Sequence, residues 1–208
     1  MPAYFSTEAS FKKNILYPNF VSDVYSIFFQ SGFTFKSGYW EGENMTLEQI
    51  TEWNQRLLQK KFKLGFTQHV RHDYKQILLN TDKYSEMRLY WMYLNNRVNL
   101  SLIIPESDVL DTSETAFSYS RIYPIIQLLQ KLWETGLVEL VQSSLELDGG
   151  VFTIKQIKQG HLPCINPLCV LDRETADRFS NAPVNPNLVF KNVENNGVLI
   201  VDNSLIKV

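Results

Sequence analysis

Cysteine is scarce in this chain. Two cysteines in 208 residues cannot form a disulfide framework, so a hydrophobic core must hold the fold, and a reducing cytoplasm is the expected compartment. Glycine is thin as well: nine residues, scattered, with neither the Walker-type loop that cradles phosphates nor the glycine-rich turn that seats a dinucleotide. No serine stands in a nucleophile elbow, and no H-E-x-x-H pair is present to hold a catalytic zinc. No apolar run approaches the roughly 18 residues of a membrane span. The N-terminal MPAYFSTEASFKKNILYPNF lacks the apolar stretch of a signal peptide. Charge of one sign is also missing: 20 Lys and Arg against 22 Asp and Glu leave a net −2, which offers no general footprint for a nucleic-acid backbone. Neither nucleic acid nor membrane is an expected partner, and no motif asks for a cofactor.

What is present is the composition of a folded protein, with 44% hydrophobic and 20% charged residues. The clearest element is MRLYWMYLNNRVNLSLII, residues 87 to 104, which reads as a β-hairpin. With Asn95-Asn96 as the turn, Leu94 lies opposite Arg97, Tyr93 opposite Val98, Trp91 opposite Leu100, Leu89 opposite Leu102 and Met87 opposite Ile104. Asparagine tolerates the positive φ of a tight primed turn, and the alternation of apolar residues sets the register. The second face then carries Arg88, Tyr90, Met92 and Leu94 against Ile103, Ser101, Asn99 and Arg97.

Helical periodicity marks residues 19 to 31, with Phe20, Val24, Ile27 and Phe28 on one face and Gly32 as the stop. It recurs at 46 to 61, where Thr46 and Gln49 form a capping-box pattern ahead of Leu47, Ile50, Trp53, Leu57 and Leu58. A further helix is expected from Thr67 to about Leu79. Another runs from Ile122 to Thr135, near Pro124 at its start and Gly136 at its end. Residues 33 to 40 read as a strand. A second hairpin is expected from Val138 to Ile157 about Gly149-Gly150, placing Leu145 opposite Ile154 and Leu147 opposite Phe152. A short helix follows near 172 to 181, and a last hairpin turns at Asn195-Asn196-Gly197 with its loop length open. Helices and hairpins without repeated strand–helix–strand crossovers predict an α+β fold with a mainly antiparallel sheet and several packed helices. One domain over 1 to 208 is expected, with a possible lobe boundary within 105 to 120.

Three groups of residues could carry chemistry. His161, Cys164 and Cys169 are zinc-ligand types, but the H-x2-C-x4-C spacing matches no common finger, and the alternative is a loop with two packed thiols. The same loop is where a hydrolase or transferase site would be sought, with a thiol paired to His161. His69 and His72, with Asp73 beside them, lie on what reads as the wet face of a helix. Lys60, Lys61 and Lys63 form the densest basic run, at a helix C-terminus where cations are favoured.

The acids Glu106, Asp108, Asp111 and Glu114 form a polar segment that reads first as a solvated loop, with protein contact rather than catalysis as its alternative. Tyr90 and Met92 read first as core beneath a helix on that face; uncovered, they are residue types enriched at interface cores. The sequence therefore points to a non-catalytic protein-binding protein. Its partner surface would comprise the four acids with Tyr90 and Met92. In size and texture the chain resembles the small immunity proteins that bacteria pair with secreted polymorphic toxins; no motif carries that likeness. It implies a cytoplasmic α+β inhibitor without metal or cofactor that occludes a toxin's active cleft, with charge complementarity speeding association.

Overall fold

The strand that organises the sheet is the most N-terminal one. In the computed structural model, which describes residues 3–64, 72–113, 115–148, 150–180 and 185–207, β1 (Tyr4–Phe11) pairs antiparallel with β5 (Arg97–Pro105) on one side and β7 (Val138–Leu145) on the other. Its alternation explains the choice. Phe5, Ala9 and Phe11 are buried on one face, while Tyr4, Ser6 and Glu8 occupy the other. Burying each phenylalanine is worth about 1.5–3 kcal/mol relative to exposure.

Around β1 the main sheet has nine strands. Its order is β2 (Thr34–Gly38), β3 (Ile77–Asn80), β4 (Arg88–Leu94), β5, β1, β7, β8 (Leu168–Asp172), β10 (Gly197–Asp202) and β9 (Leu188–Val193), antiparallel throughout. A second, two-stranded parallel pair joins β6 (Phe117–Ser118) to β11 (Ile206–Lys207). The α+β fold with a mainly antiparallel sheet follows from the sequence reading. Among the described residues no helix is long and apolar enough to cross a membrane.

The β4–β5 hairpin has the expected register from Leu94↔Arg97 to Arg88↔Ile103, with Asn95 and Asn96 at φ 54° and 59°. Its apolar face is buried against α1 (Phe20–Gln30), α2 (Leu47–Gln59) and α3 (Tyr119–Glu134) in the larger core. Thr46 and Gln49 do close a capping box on α2. Inside this core a polar knot ties helices to sheet. The Tyr25 hydroxyl accepts from Trp91 Nε1 at 3.0 Å and from Asn54 Nδ2 at 3.3 Å, and Asn54 exchanges two hydrogen bonds with the Lys75 backbone. Burial pushes the Tyr25 phenol up, so it stays neutral.

Helix α3 begins three residues before the expected Ile122, leaving Pro124 in its second turn, where the exposed Ser120 has its carbonyl in reach of water. Two expectations are corrected. Ile77–Asn80 is a strand, not the end of a helix, because Ile77 and Leu79 are buried at a period of two and pair with β2 and β4; residues 67 to 71 of that expected helix lie outside the described residues. The hairpin about Gly149-Gly150 does not form (Gly149 is itself outside the described residues). A Thr153–Gln156 capping box instead starts α4 (Ile154–Lys158), β8 takes the place beside β7, and Leu147 is left 95% exposed. The last hairpin turns through three residues, 194 to 196, between Val193 and Gly197.

A smaller core lies on the opposite face of the β7, β8 and β10 half, where α4 and α5 (Arg173–Ser180) bury Ile157, Ala176 and Phe179 against Leu140, Cys169, Leu171, Val198 and Ile200. At Gly197 the chain comes close to α3: a Cβ there would run into the Trp133 indole, whose Nε1 donates to the Glu194 carbonyl. Gly197→Ala is expected to lower stability by about 1–3 kcal/mol, an overpacking cost, read as a lower urea midpoint with an unchanged slope.

Candidate functional site

Strand pairing determines which side chains share the second face. Across it run rows set by register: Arg88, Ile103, Ser6 and Ser144; then Tyr90, Ser101, Glu8 and Gln142; then Met92, Asn99 and Ser10. Helices α4 and α5 cover this face only from β7 outward. The Gln142 amide marks the border. Its Nε2 donates to the Phe152 carbonyl at 2.7 Å, and its Oε1 accepts from the Phe152 and Cys164 amides. From β1 to β3 no described helix packs on the face. A groove of about 470 Å³ runs there between Glu8, Ser10 and Asn99 on one wall and residues 151 to 156 on the other.

The residues on this open half are not passive filler. Arg88 is sandwiched between the Tyr4 and Tyr39 rings, 4.6 Å from each centroid, and its Nε lies 2.8 Å from Glu86 Oε1. Ser10 Oγ donates to Asn99 Oδ1 at 2.7 Å. Tyr90 and Met92 are half-buried, and burial, with the Asp73 charge second, pushes the Tyr90 phenol up to about 12. Beside Tyr90 a small pocket of about 100 Å³ is bounded by Tyr39, Trp40 and Tyr74. Trp40 sits in the left-handed region at φ 53° and is 75% exposed, an unusual position for a tryptophan side chain. Lys75 is buried beneath it, ion-paired to Glu41 at 3.1 Å.

Glu8 stands out. It is half-buried in the middle of β1, and among the described residues no hydrogen bond or ion pair meets its carboxylate. Burial alone raises its carboxyl above the ordinary glutamate range. A desolvated, unpaired carboxylate costs stability and gains most from a cation brought by something else. The sequence reading did not single out Glu8 or Trp40. Glu8 could have been found as the charged member of an alternating strand, had YFSTEASF been read as one; Trp40's exposure had no local signal.

The acids are spread along the opposite end of the sheet. Glu106 Oε1 accepts from the Glu146 amide at 3.0 Å, and Asp108 Oδ2 accepts from the Ser85 amide and hydroxyl, both at 2.6 Å. Asp111 accepts from Lys207 Nζ at 2.8 Å and from Ser113, Thr115 and Ala116, and the Lys207 ammonium first among these holds its carboxyl well below the usual range. Glu114 lies outside the described residues. The structure thus separates Tyr90 and Met92, at mid-sheet, from the acids at its rim.

His161, Cys164 and Cys169 do not form a group that could hold a metal. His161 is exposed, its ring tilted against Phe152 and its Nδ1 3.1 Å from the Gln156 carbonyl. Cys169 is fully buried on β8, in the smaller core. Burial, helped by Asp148, pushes the Cys164 thiol up to about 11, and burial raises Cys169 further, so both are thiols rather than thiolates at neutral pH. Among the described residues no three His, Cys, Asp or Glu side chains gather as a metal site. His72 is exposed, and His69 lies outside the described residues.

No protein-family model matches the chain, and no curated protein sequence does. Among solved structures it is similar to the Pseudomonas aeruginosa T6SS protein PA0821, with 11% identity and a TM-score of 0.44, over 96% of this chain and 65% of that one. The chain therefore spans just under two thirds of that protein's length, and a likeness at this level carries no argument about function.

Because burial raises the Glu8 carboxyl, the folded state holds its proton more tightly than the unfolded chain. Stability from this group is present below the ordinary glutamate range and lost as pH rises through the raised value. Glu8→Gln is therefore expected to raise the urea midpoint at pH 7 and to make no difference once the pH falls below the unfolded-state range, as checked by denaturation at the two pH values.

Proposed function

We propose that this chain is a non-catalytic binding protein, of the immunity type, that acts by covering the working surface of a partner protein. The observation that carries the reading is the half of the sheet's second face on which no described helix packs, where Tyr90, Met92 and Glu8 lie between Trp40 at one side and the groove beside α4 at the other. Half-buried tyrosine and methionine side chains are residue types enriched at interface cores. A carboxylate without a partner among the described residues adds a charge preference at the centre. The complementary surface is apolar, with a lysine or arginine positioned to meet Glu8. Glu106, Asp108 and Asp111 stand at the rim in this reading; their role, shared with Glu114, is to speed encounter with a basic partner rather than to hold it.

The test is affinity capture of the tagged protein from its native cells, run in parallel with a Tyr90→Ala/Met92→Ala double variant and a Trp40→Ala variant. One stoichiometric protein is expected with the unaltered chain, its affinity falling at least tenfold in the double variant while the far-UV spectrum is unchanged. Equal capture by both would overturn the reading. Neutralising Glu106, Asp108, Asp111 and Glu114 to Gln or Asn is expected to slow association several-fold at low salt, the effect fading near physiological ionic strength, and to leave the dissociation rate unchanged.

A further inference from the structure

The end of the sheet opposite the acids gathers positive charge that the sequence scatters. Lys12 and Lys13 continue β1 past its last paired residue; Lys61 and Lys63 follow α2; Arg97 opens β5. The fold brings all five around one groove of about 680 Å³, and no acidic side chain lines it. Arg97 is ion-paired, to Glu139. The other four have no ion pair among the described residues, and all four are exposed.

Helix capping does not account for Lys61 and Lys63. The last carbonyls of α2, on Arg56, Leu57 and Leu58, already accept from the backbone amides of Lys60, Phe62 and Lys61. Beyond the general preference of cations for a helix C-terminus, the ammonium groups hold no hydrogen bond or ion pair among the described residues. Four like charges around one concavity repel each other, and the nearest relief is an anion brought from outside.

The floor of the groove decides which anion. Ile15, Leu16 and Val98 make it apolar, and Tyr93 beneath is 8% exposed, so no aromatic face is offered to a stacked base. Nucleic-acid channels combine basic groups with such faces. An apolar floor under a lysine rim fits a chain that alternates carboxylates with aliphatic side chains, and the volume suits a short segment. We propose that this groove is a second docking site, which takes an acidic, leucine-bearing peptide segment of a protein partner. The groove adjoins the one beside α4, with Lys13, Asn96 and Arg97 lining both, but Tyr90, Met92, Trp40 and Glu8 do not line it, so variants at those positions separate the two sites.

The test uses the full chain and a fluorescein-labelled octapeptide alternating Glu/Asp with Leu, followed by anisotropy at low salt and as salt is raised. Saturable binding is expected, weakening with salt, lost at least tenfold in a Lys12→Ser/Lys13→Ser/Lys61→Gln/Lys63→Gln variant and retained in Tyr90→Ala/Met92→Ala. Replacing the peptide leucines by serine is expected to weaken it several-fold. Unchanged melting temperature of the quadruple variant shows that it folds; if it does not, Lys61→Gln/Lys63→Gln alone is read in its place. Equal binding by the lysine variant overturns the site. Indifference to the leucines, with oligothymidylate or polyphosphate competing at lower concentration than the peptide, overturns the peptide assignment in favour of a phosphate-bearing ligand.

Discussion

The insertion of β1 between β5 and β7 is the constraint on which the molecule depends. Without it β2, β3, β4 and β5 on one side and β7, β8, β10 and β9 on the other would be two open four-stranded sheets, each with an unpaired edge of the kind that invites aggregation. Seven residue pairs join β1 to β5 and seven join it to β7, so one strand supplies both seams. Because side chains alternate across it, the same strand commits Phe5, Ala9 and Phe11 to the larger core and sends Glu8 to the face that helices leave open. The buried seam and the half-buried carboxylate are two consequences of one pairing.

The helices are distributed unevenly, and that unevenness makes the surface. Three pack on the face that carries the larger core, fastened through the Tyr25, Asn54 and Trp91 knot. The two short ones cover only the β7, β8 and β10 part of the other. The remainder is packed by its own long side chains, as in the Tyr4, Arg88 and Tyr39 stack; there Arg88, Ser10, Asn99 and Ser101 are buried while Tyr90 and Met92 are half-buried. Aromatic area already held in place costs little entropy to bind.

Antiparallel pairing also sorts charge lengthwise. Since β1 and β5 run in opposite directions, the residue after one and the residue before the other fall at the same end: Lys13 near Arg97, and the start of β1 near Glu106. A nearly neutral chain thereby acquires one basic and one acidic end, which a net charge of −2 conceals.

Much of the fold was legible because it is encoded locally. The β4–β5 register, its Asn-Asn turn, the Thr46 capping box and the seven-residue apolar stripe of α3 each depend on neighbours within a few positions. Ile77–Asn80 and the segment after Leu145 were misread where a short apolar run is compatible with either periodicity; pairing with β2 and β4 in one case, and α4 with β8 in the other, decided them. Tyr90 and Met92 were legible as the second face of a hairpin, but not whether anything covered them. By itself the sequence determined an α+β protein with an antiparallel sheet and an apolar hairpin at its heart. Only the tertiary structure decided that Glu8 shares a row with Tyr90 across Ser101 and that lysines about 50 residues apart share a groove, because strand order and helix placement are long-range choices made by competition for burial, which no local pattern records.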